Sequence, residues 1–198
     1  MKKLLLMLFP ALVLSQISEN PKVNTFIDSL GSGTNYFFVE ETRPGTIKMM
    51  KKEDMQYDCI EAPYYWSTDL FWEDKNSNYW KKSFFSCSEH TAEKVDATYL
   101  NFVKNNFGAI KNEEVLVYKT KNDSISGDRT YTFFKTSNHE PVKNYVFRID
   151  SEKISKRLET FRLTTQGDNL NYEHNQNLKI AELGRLLSIN EKNETQSR

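Results

Sequence analysis

The residues best suited to acid–base chemistry are three histidines, and their spacing indicates no shared local site. His90, His139 and His174 are separated by 49 and 35 positions. Zinc sites that can be recognised in a sequence place pairs of ligands within a few residues of each other. The sequence therefore predicts no metal and no cofactor, and a histidine site would have to form from residues that meet only in the folded chain.

The chain also lacks the motifs that hold a nucleophile or a phosphate. It contains no Gly-x-Ser-x-Gly elbow, no P-loop and no Gly-x-Gly-x-x-Gly fingerprint. The carboxylate pairs Glu40-Glu41 and Glu73-Asp74 are adjacent in sequence, and neighbours on a strand point to opposite faces. Glycoside hydrolysis needs two carboxylates that face each other across the bond. No catalytic residue is predicted.

The N-terminus has the pattern of a cleaved export signal. Lys2 and Lys3 precede an apolar run over 4–14, which is about half the roughly 20 residues that a membrane-spanning helix needs. Val13 and Ser15 suit the −3 and −1 positions of a peptidase site, so cleavage is predicted after residue 15. We expect a bacterial protein that is periplasmic or secreted; a retained N-terminal anchor is the alternative.

The only two cysteines, Cys59 and Cys87, follow the predicted signal. An exported chain meets an oxidising compartment, where an even pair of cysteines forms a disulfide. The sequence therefore predicts one Cys59–Cys87 disulfide, and two free buried thiols are the alternative.

Composition favours one folded domain in the remainder of the chain. Removal of Lys2 and Lys3 from 27 basic and 27 acidic side chains leaves a net charge of −2, which offers nothing to attract nucleic acid. Twenty-five aromatic residues remain to supply a core, and no later apolar stretch could span a membrane. We expect a signal peptide at 1–15, a single α+β domain at 16–189 and a flexible tail at 190–198.

Three helices are predicted from apolar periodicity and end signals. The first follows Asn20 as N-cap, begins at Pro21 and stops at Gly31. The second covers about 91–107, and the third about 175–189, where Gly184 costs roughly 1 kcal/mol relative to alanine.

Strand-like segments lie between these helices, joined by short polar connections that favour antiparallel neighbours. The polar stretch 119–129 has the composition of a flexible turn. The predicted fold is α+β, an antiparallel meandering sheet with an N-terminal, a middle and a C-terminal helix; an all-β sandwich with peripheral helices is the alternative. The predicted strands are 35–41, 64–73, 78–87, 115–119, 130–136, 143–150 and 154–164.

The segment 64–87 contains all three tryptophans and is predicted to form an aromatic hairpin. A turn at 74–77 would pair Trp72 with Tyr79 and would place one apolar and one mixed face on the two sides. The mixed face would carry Tyr65, Asp69, Phe71, Trp80, Lys82 and Phe84.

We predict that this mixed face binds a ligand, because aromatic rings interleaved with polar groups can stack on sugars or grip a peptide. The expected function is a non-enzymatic binding or interaction module with a glycan, a peptide or an envelope protein as partner. For the face itself, the favoured interpretation is that a helix covers it and the aromatic residues are core. The alternative function is an exported hydrolase in which His139 or His174 meets a distant carboxylate.

Overall fold

The computed structural model describes residues 18, 20–44, 64–86, 88–137 and 140–196, with side chains except at 44, 64, 65 and 189–196. The predicted signal peptide and both cysteines lie outside the described residues, so cleavage and the Cys59–Cys87 disulfide stay predictions. No helix in the described ranges combines the length and apolarity that crossing a bilayer requires.

The described part of the chain contains five helices and eight strands. In chain order they are α1 (Pro21–Leu30), β1 (Tyr36–Pro44), β2 (Tyr64–Glu73), β3 (Tyr79–Phe85), β4 (Glu93–Val95), α2 (Thr98–Asn112), β5 (Tyr118–Ser126), β6 (Arg129–Lys135), β7 (Val142–Ile149), β8 (Glu152–Glu159), α3 (Thr160–Thr164), α4 (Tyr172–Gln176) and α5 (Lys179–Gln196).

The strands form two antiparallel sheets of very different size. The larger has six strands in the order β4-β3-β2-β1-β7-β8, so β1 to β4 run as a meander and the β7–β8 hairpin joins at β1. The smaller consists of β5 and β6 alone. The predicted α+β class is confirmed, and the sandwich alternative is wrong because the second sheet has only two strands.

Alternation along β1 divides the core into two layers, one on each side of the six-stranded sheet. Tyr36 and Phe38 point to one side, where they pack with Val23 and Ile27 of α1. Phe37 points to the other side, where α2 and α5 cover it. Full burial of one such aromatic side chain stabilises the fold by roughly 1.5–3 kcal/mol, so both layers contribute strongly.

Helix α1 matches its prediction because its signals are local. The Asn20 side chain accepts a hydrogen bond from the backbone N–H of Lys22 at 2.9 Å, and Pro21 occupies the first turn. Gly31 follows the last helical residue with a φ of 88°, which few other residues tolerate. The sequence specifies both ends of this helix.

Helix α2 begins at Thr98, about seven residues later than predicted. Residues 93–95 pair with β3 as the short strand β4 and are therefore not free to join the helix. Gly108 does not end the helix, which continues to Asn112, and a Cβ at Gly108 would meet open space. A glycine signals a helix end only when the chain needs a positive φ there.

The C-terminal elements also differ from the predicted boundaries. The predicted strand 154–164 ends at Glu159 and continues as α3, and the predicted helix 175–189 is divided between α4 and α5. The carboxylate of Glu113 accepts hydrogen bonds from the backbone N–H groups of Lys179 and Ile180, at 2.8 and 2.7 Å. The start of α5 is thus fixed by a residue on a distant part of the chain. Flexibility of 190–198 stays a prediction.

Candidate functional site

The aromatic hairpin of β2 and β3 has a register one residue away from the predicted one. Trp72 pairs with Trp80, and Glu73 pairs with Tyr79. The loop therefore contains five residues, because the carboxylate of Asp74 accepts hydrogen bonds from the backbone N–H groups of Asn76 and Asn78 at 2.8 and 2.9 Å. The predicted four-residue turn is wrong, and a slip of one residue reverses the face of every residue on one strand.

The corrected register separates the six residues of the predicted mixed face. Phe84 packs in the α1 layer, together with Trp80 at its edge, whereas Phe71 packs in the layer under α2 and α5. Phe71 and Phe84 are only 3% and 1% exposed. The six residues thus do not form one surface, and the interpretation of a covered, core-forming hairpin describes Phe71 and Phe84 correctly.

The remaining polar groups of this set bind within the fold. The Trp80 indole stacks against Trp72 with centroids 6.4 Å apart and donates a hydrogen bond to Asp74 at 3.0 Å. Lys82 donates to the carbonyl of His90 at 3.0 Å and lies 5.3 Å from the centre of the Phe26 ring. These contacts connect the strands, their turn and α1.

Asp69 accepts a hydrogen bond from the Ser83 hydroxyl on the neighbouring strand. Its carboxylate also lies 3.9 Å from the ammonium group of Lys81. The side chain of Tyr65 is outside the described residues. Binding of a ligand by any of the six predicted residues stays a prediction.

A second hairpin, formed by β5 and β6, also carries aromatic residues. Unlike Phe71 and Phe84 of the β2–β3 hairpin, they are exposed. The predicted flexible turn at 119–129 is wrong, since residues up to Ser126 form β5 and only Gly127 and Asp128 form the turn. Gly127 has a φ of 61°, as the first residue of a two-residue hairpin turn often requires. We name β5, this turn and β6, residues 118–135, the ribbon.

The ribbon projects from the fold with both of its faces open to solvent. Every residue from 121 to 136 is exposed. Ile125, Tyr131, Phe133 and Phe134 are 78, 46, 41 and 58% exposed. An isolated two-stranded hairpin is marginally stable at best, so contacts at its base must hold it.

Those contacts form at the loop 167–171, which we name the root. The Tyr118 ring stacks on Phe161 with centroids 4.7 Å apart, and its hydroxyl donates to Asp168 at 2.6 Å. The ammonium group of Lys135 lies 2.7 Å from the same carboxylate. The Lys135 and Tyr118 side chains lower the pKa of Asp168 to about 2, so the carboxylate is charged at neutral pH.

Backbone hydrogen bonds complete the root. The Leu170 N–H donates to the carbonyl of Lys119 at 2.8 Å, and the Lys119 N–H donates to the side chain of Asn169 at 3.2 Å. Gly167 has a φ of 42°, and a Cβ there would lie 2.6 Å from the Tyr118 hydroxyl oxygen. Glycine is thus required at 167 both for its conformation and for its small size.

The two described histidines do not form the acid–base pair that a hydrolase would need. A ring nitrogen of His174 lies 3.2 Å from the backbone carbonyl oxygen of Glu114, and His90 packs against Phe85 with ring centroids 4.9 Å apart. Neither one forms a hydrogen bond or an ion pair with a carboxylate of a described residue. His139 lies outside the described residues, so a hydrolase site at His139 stays a prediction.

Sequence reasoning missed the ribbon as a site because its strands do not look unusual. Tyr131 and Phe133 alternate with Thr130 and Thr132, which is the pattern of an ordinary half-buried strand. The one local signal was the glycine of a tight turn between two strand-like runs. That signal does not reveal that no other described element packs on either face of the ribbon.

Comparison with known proteins gives no family for this chain. No protein-family model, no curated protein and no solved structure matches it.

Proposed function

We propose that the protein is an exported interaction module that binds an extended, acidic polypeptide segment by strand addition to β6. The observation that carries this proposal is the exposure of Ile125, Tyr131, Phe133 and Phe134 on a ribbon that nothing in the described structure covers. Soluble proteins rarely leave clustered apolar side chains exposed unless these bind a partner.

The outer edge of β6 offers the main-chain groups for such binding. Within the described residues, β6 hydrogen-bonds in the small sheet only to β5. Sheet edges are usually protected by charged side chains or by very short strands. The large sheet follows this rule, because β8 carries Lys153, Lys156 and Arg157, and β4 has three residues.

The β6 edge lacks that protection. Its residues 130–134 are Thr-Tyr-Thr-Phe-Phe, and charges stand only at its ends, Arg129 and Lys135. An added strand would gain main-chain hydrogen bonds from this edge and specificity from the alternating aromatic side chains.

Charge indicates what kind of segment the ribbon prefers. The ribbon carries four basic and two acidic side chains, and Asp168 of the root neutralises one of the four, Lys135, which leaves a net charge of +1 in a chain whose 27 basic and 27 acidic residues balance. Lys119 pairs with Asp123 at 2.9 Å, and Lys121 lies 5.6 Å from the centre of the Phe133 ring. An aromatic surface with a cationic excess suits a partner with apolar and acidic side chains.

Selection from a library of displayed random peptides tests the proposal. We expect purified protein to enrich peptides in which apolar residues alternate and acidic residues occur. The amides of 129–135 should then exchange hydrogen more slowly in the presence of the selected peptide, because an added strand covers them. A failure to enrich any peptide, or unchanged exchange in β6, would contradict the proposal.

A matched pair of substitutions locates the interaction. Thr132→Lys puts a charge in the middle of β6, and Ser155→Lys puts the same charge in the middle of β8, the protected edge. We expect Thr132→Lys to lower affinity for the selected peptide about tenfold or more and Ser155→Lys to leave it unchanged. Equal effects would place the binding surface elsewhere.

The export part of the proposal depends on the predicted signal peptide alone. The mass of the protein recovered from a periplasmic extract or culture medium tests it, since cleavage after Ser15 would leave residues 16–198. A mass that retains residues 1–15 would contradict export by cleavage.

A further inference from the structure

A cleft of about 500 Å³ lies between the β7–β8 edge of the large sheet and helices α3, α4 and α5. Its walls include Tyr145, Leu158, Leu163, Tyr172 and Ala181. This volume lies within the range of small-molecule sites, which are mostly apolar with a few placed polar groups. The proposed strand-addition function does not use this cleft.

A glycine lines the wall of this cleft. Gly184 lies inside α5, where glycine disfavours the helix, and it lines the cleft. The hydroxyl of the buried Tyr145 stands against it, 3.4 Å from where a Cβ would lie. A larger side chain at 184 would displace that hydroxyl or occupy the cleft.

The charged groups that line the cleft are all cationic. They are Lys143 and Arg185, and no aspartate or glutamate contributes to the lining formed by described residues. Lys143 already pairs with Glu41 at 3.3 Å. Among the described residues, Arg185 donates only to the side-chain and backbone oxygens of Gln176, at 3.1 and 3.2 Å. Its guanidinium is therefore oriented by neutral groups, and no carboxylate of a described residue neutralises its charge.

A buried hydroxyl in the same lining lacks a partner. Thr160 stands at the start of α3, and its Oγ1 is buried without a hydrogen bond to any described residue. A buried polar atom left without a partner costs free energy, so such atoms in a native structure call for an explanation. Because this oxygen is buried, a ligand oxygen in the cleft would accept the hydrogen bond only after the Thr160 side chain turned toward it.

We infer that this cleft binds a small amphipathic monoanion, with its apolar body against Tyr145, Leu158 and Leu163 and its anionic head toward Arg185. A carboxylate fits best, because its two oxygens can accept hydrogen bonds from the guanidinium together. The small volume and the single unneutralised cation argue against a polyanion.

Calorimetric titration of the purified protein with octanoate, 1-octanol and octylamine tests this inference, because the three probes share one apolar body. We expect saturable binding of octanoate and much weaker binding of the neutral and cationic probes. Equal binding of octanol would overturn the anionic part of the inference, and no saturable octanoate binding would overturn all of it.

Substitutions with matched controls place the probe in the cleft. Arg185→Gln removes an exposed charge and should weaken octanoate binding about tenfold, whereas Lys22→Gln on α1, across the sheet, should not. Gly184→Leu should abolish binding, whereas Gly108→Leu, in a helix with open space beside it, should not. Binding that survives both cleft substitutions would overturn the inference, and the Arg185 variant decides the matter if Gly184→Leu fails to fold.

Discussion

The β2–β3 hairpin and the ribbon are both antiparallel hairpins rich in aromatic residues, yet the first is buried and the second is exposed. β2 and β3 lie inside a six-stranded sheet with α1 on one face and α2 and α5 on the other, so Phe71 and Phe84 are buried. In the described part of the chain, no other strand or helix packs on the outer parts of the ribbon, so Phe133 and Phe134 are exposed. Aromatic content therefore does not reveal a binding surface; the number of layers that pack on the hairpin does.

The largest expected difference between the two hairpins is in stability. Phe84→Ala should lower the free energy of unfolding by about 3–5 kcal/mol, because it leaves a cavity in the α1 layer. Phe134→Ala removes the same atoms from an exposed position and should change it by about 0.5 kcal/mol or less. Urea denaturation of both variants measures the contrast. Similar losses would mean that the ribbon is packed against the fold and is not a free surface.

The contrast between the two hairpins also shows how far sequence reasoning reaches. Local signals predicted α1, because Asn20, Pro21 and Gly31 act within one helix. Alternation predicted most strands of the sheet and hence the α+β class. These features depend on neighbours in sequence, which a single chain displays directly.

The remaining features depend on contacts that the sequence does not display. The register of the β2–β3 hairpin depends on how Asp74 orders the five loop residues. One loop residue more or less would turn the side chains of one strand to the other face of the sheet. The start of α5 depends on Glu113, 66 residues before Lys179. β4 exists because it pairs with β3. Each of these is set by tertiary contacts that override local preference.

An intermediate effect is expected at the root of the ribbon. Gly167→Ala forces a side chain into a positive φ and against the Tyr118 hydroxyl, which lies 2.6 Å from the Cβ position. Such strain costs about 1–3 kcal/mol, and it should be released by local opening of the root. Hydrogen exchange at 118–135 should accelerate while exchange in the six-stranded sheet stays slow. Equal acceleration in both would show that the ribbon and the large sheet open as one unit.

The smallest effect separates the two hairpins by the chemistry of two aspartates, one in the turn of the β2–β3 hairpin and one in the root that holds the ribbon. Asp74 and Asp168 both have a pKa of about 2, against an ordinary 3.8. The cause differs: the Asn78 backbone and the Trp80 indole, which are neutral, lower the pKa of Asp74, whereas Lys135 is the largest contributor at Asp168. A carboxyl whose pKa is lowered by folding stabilises the folded state above its unfolded pKa. Both contributions should therefore be complete above about pH 4 and be lost as the pH falls toward 2.

A high salt concentration should change the pKa of these two aspartates to different extents. The ion pair at the root is exposed, with the Lys135 and Asp168 side chains 50 and 56% accessible, so 1 M salt should screen its charge attraction. The pKa of Asp168 should rise only slightly, because the hydrogen bond from Lys135 contributes more than that attraction. Hydrogen bonds from neutral donors at Asp74 are much less sensitive to salt. Carboxyl-carbon NMR titrations at low and high salt measure both values, with Asp168→Asn identifying the root signal. If the two pKa values rise together, the charge of Lys135 is not what holds Asp168 ionised, and hydrogen bonding from Tyr118 anchors the ribbon instead.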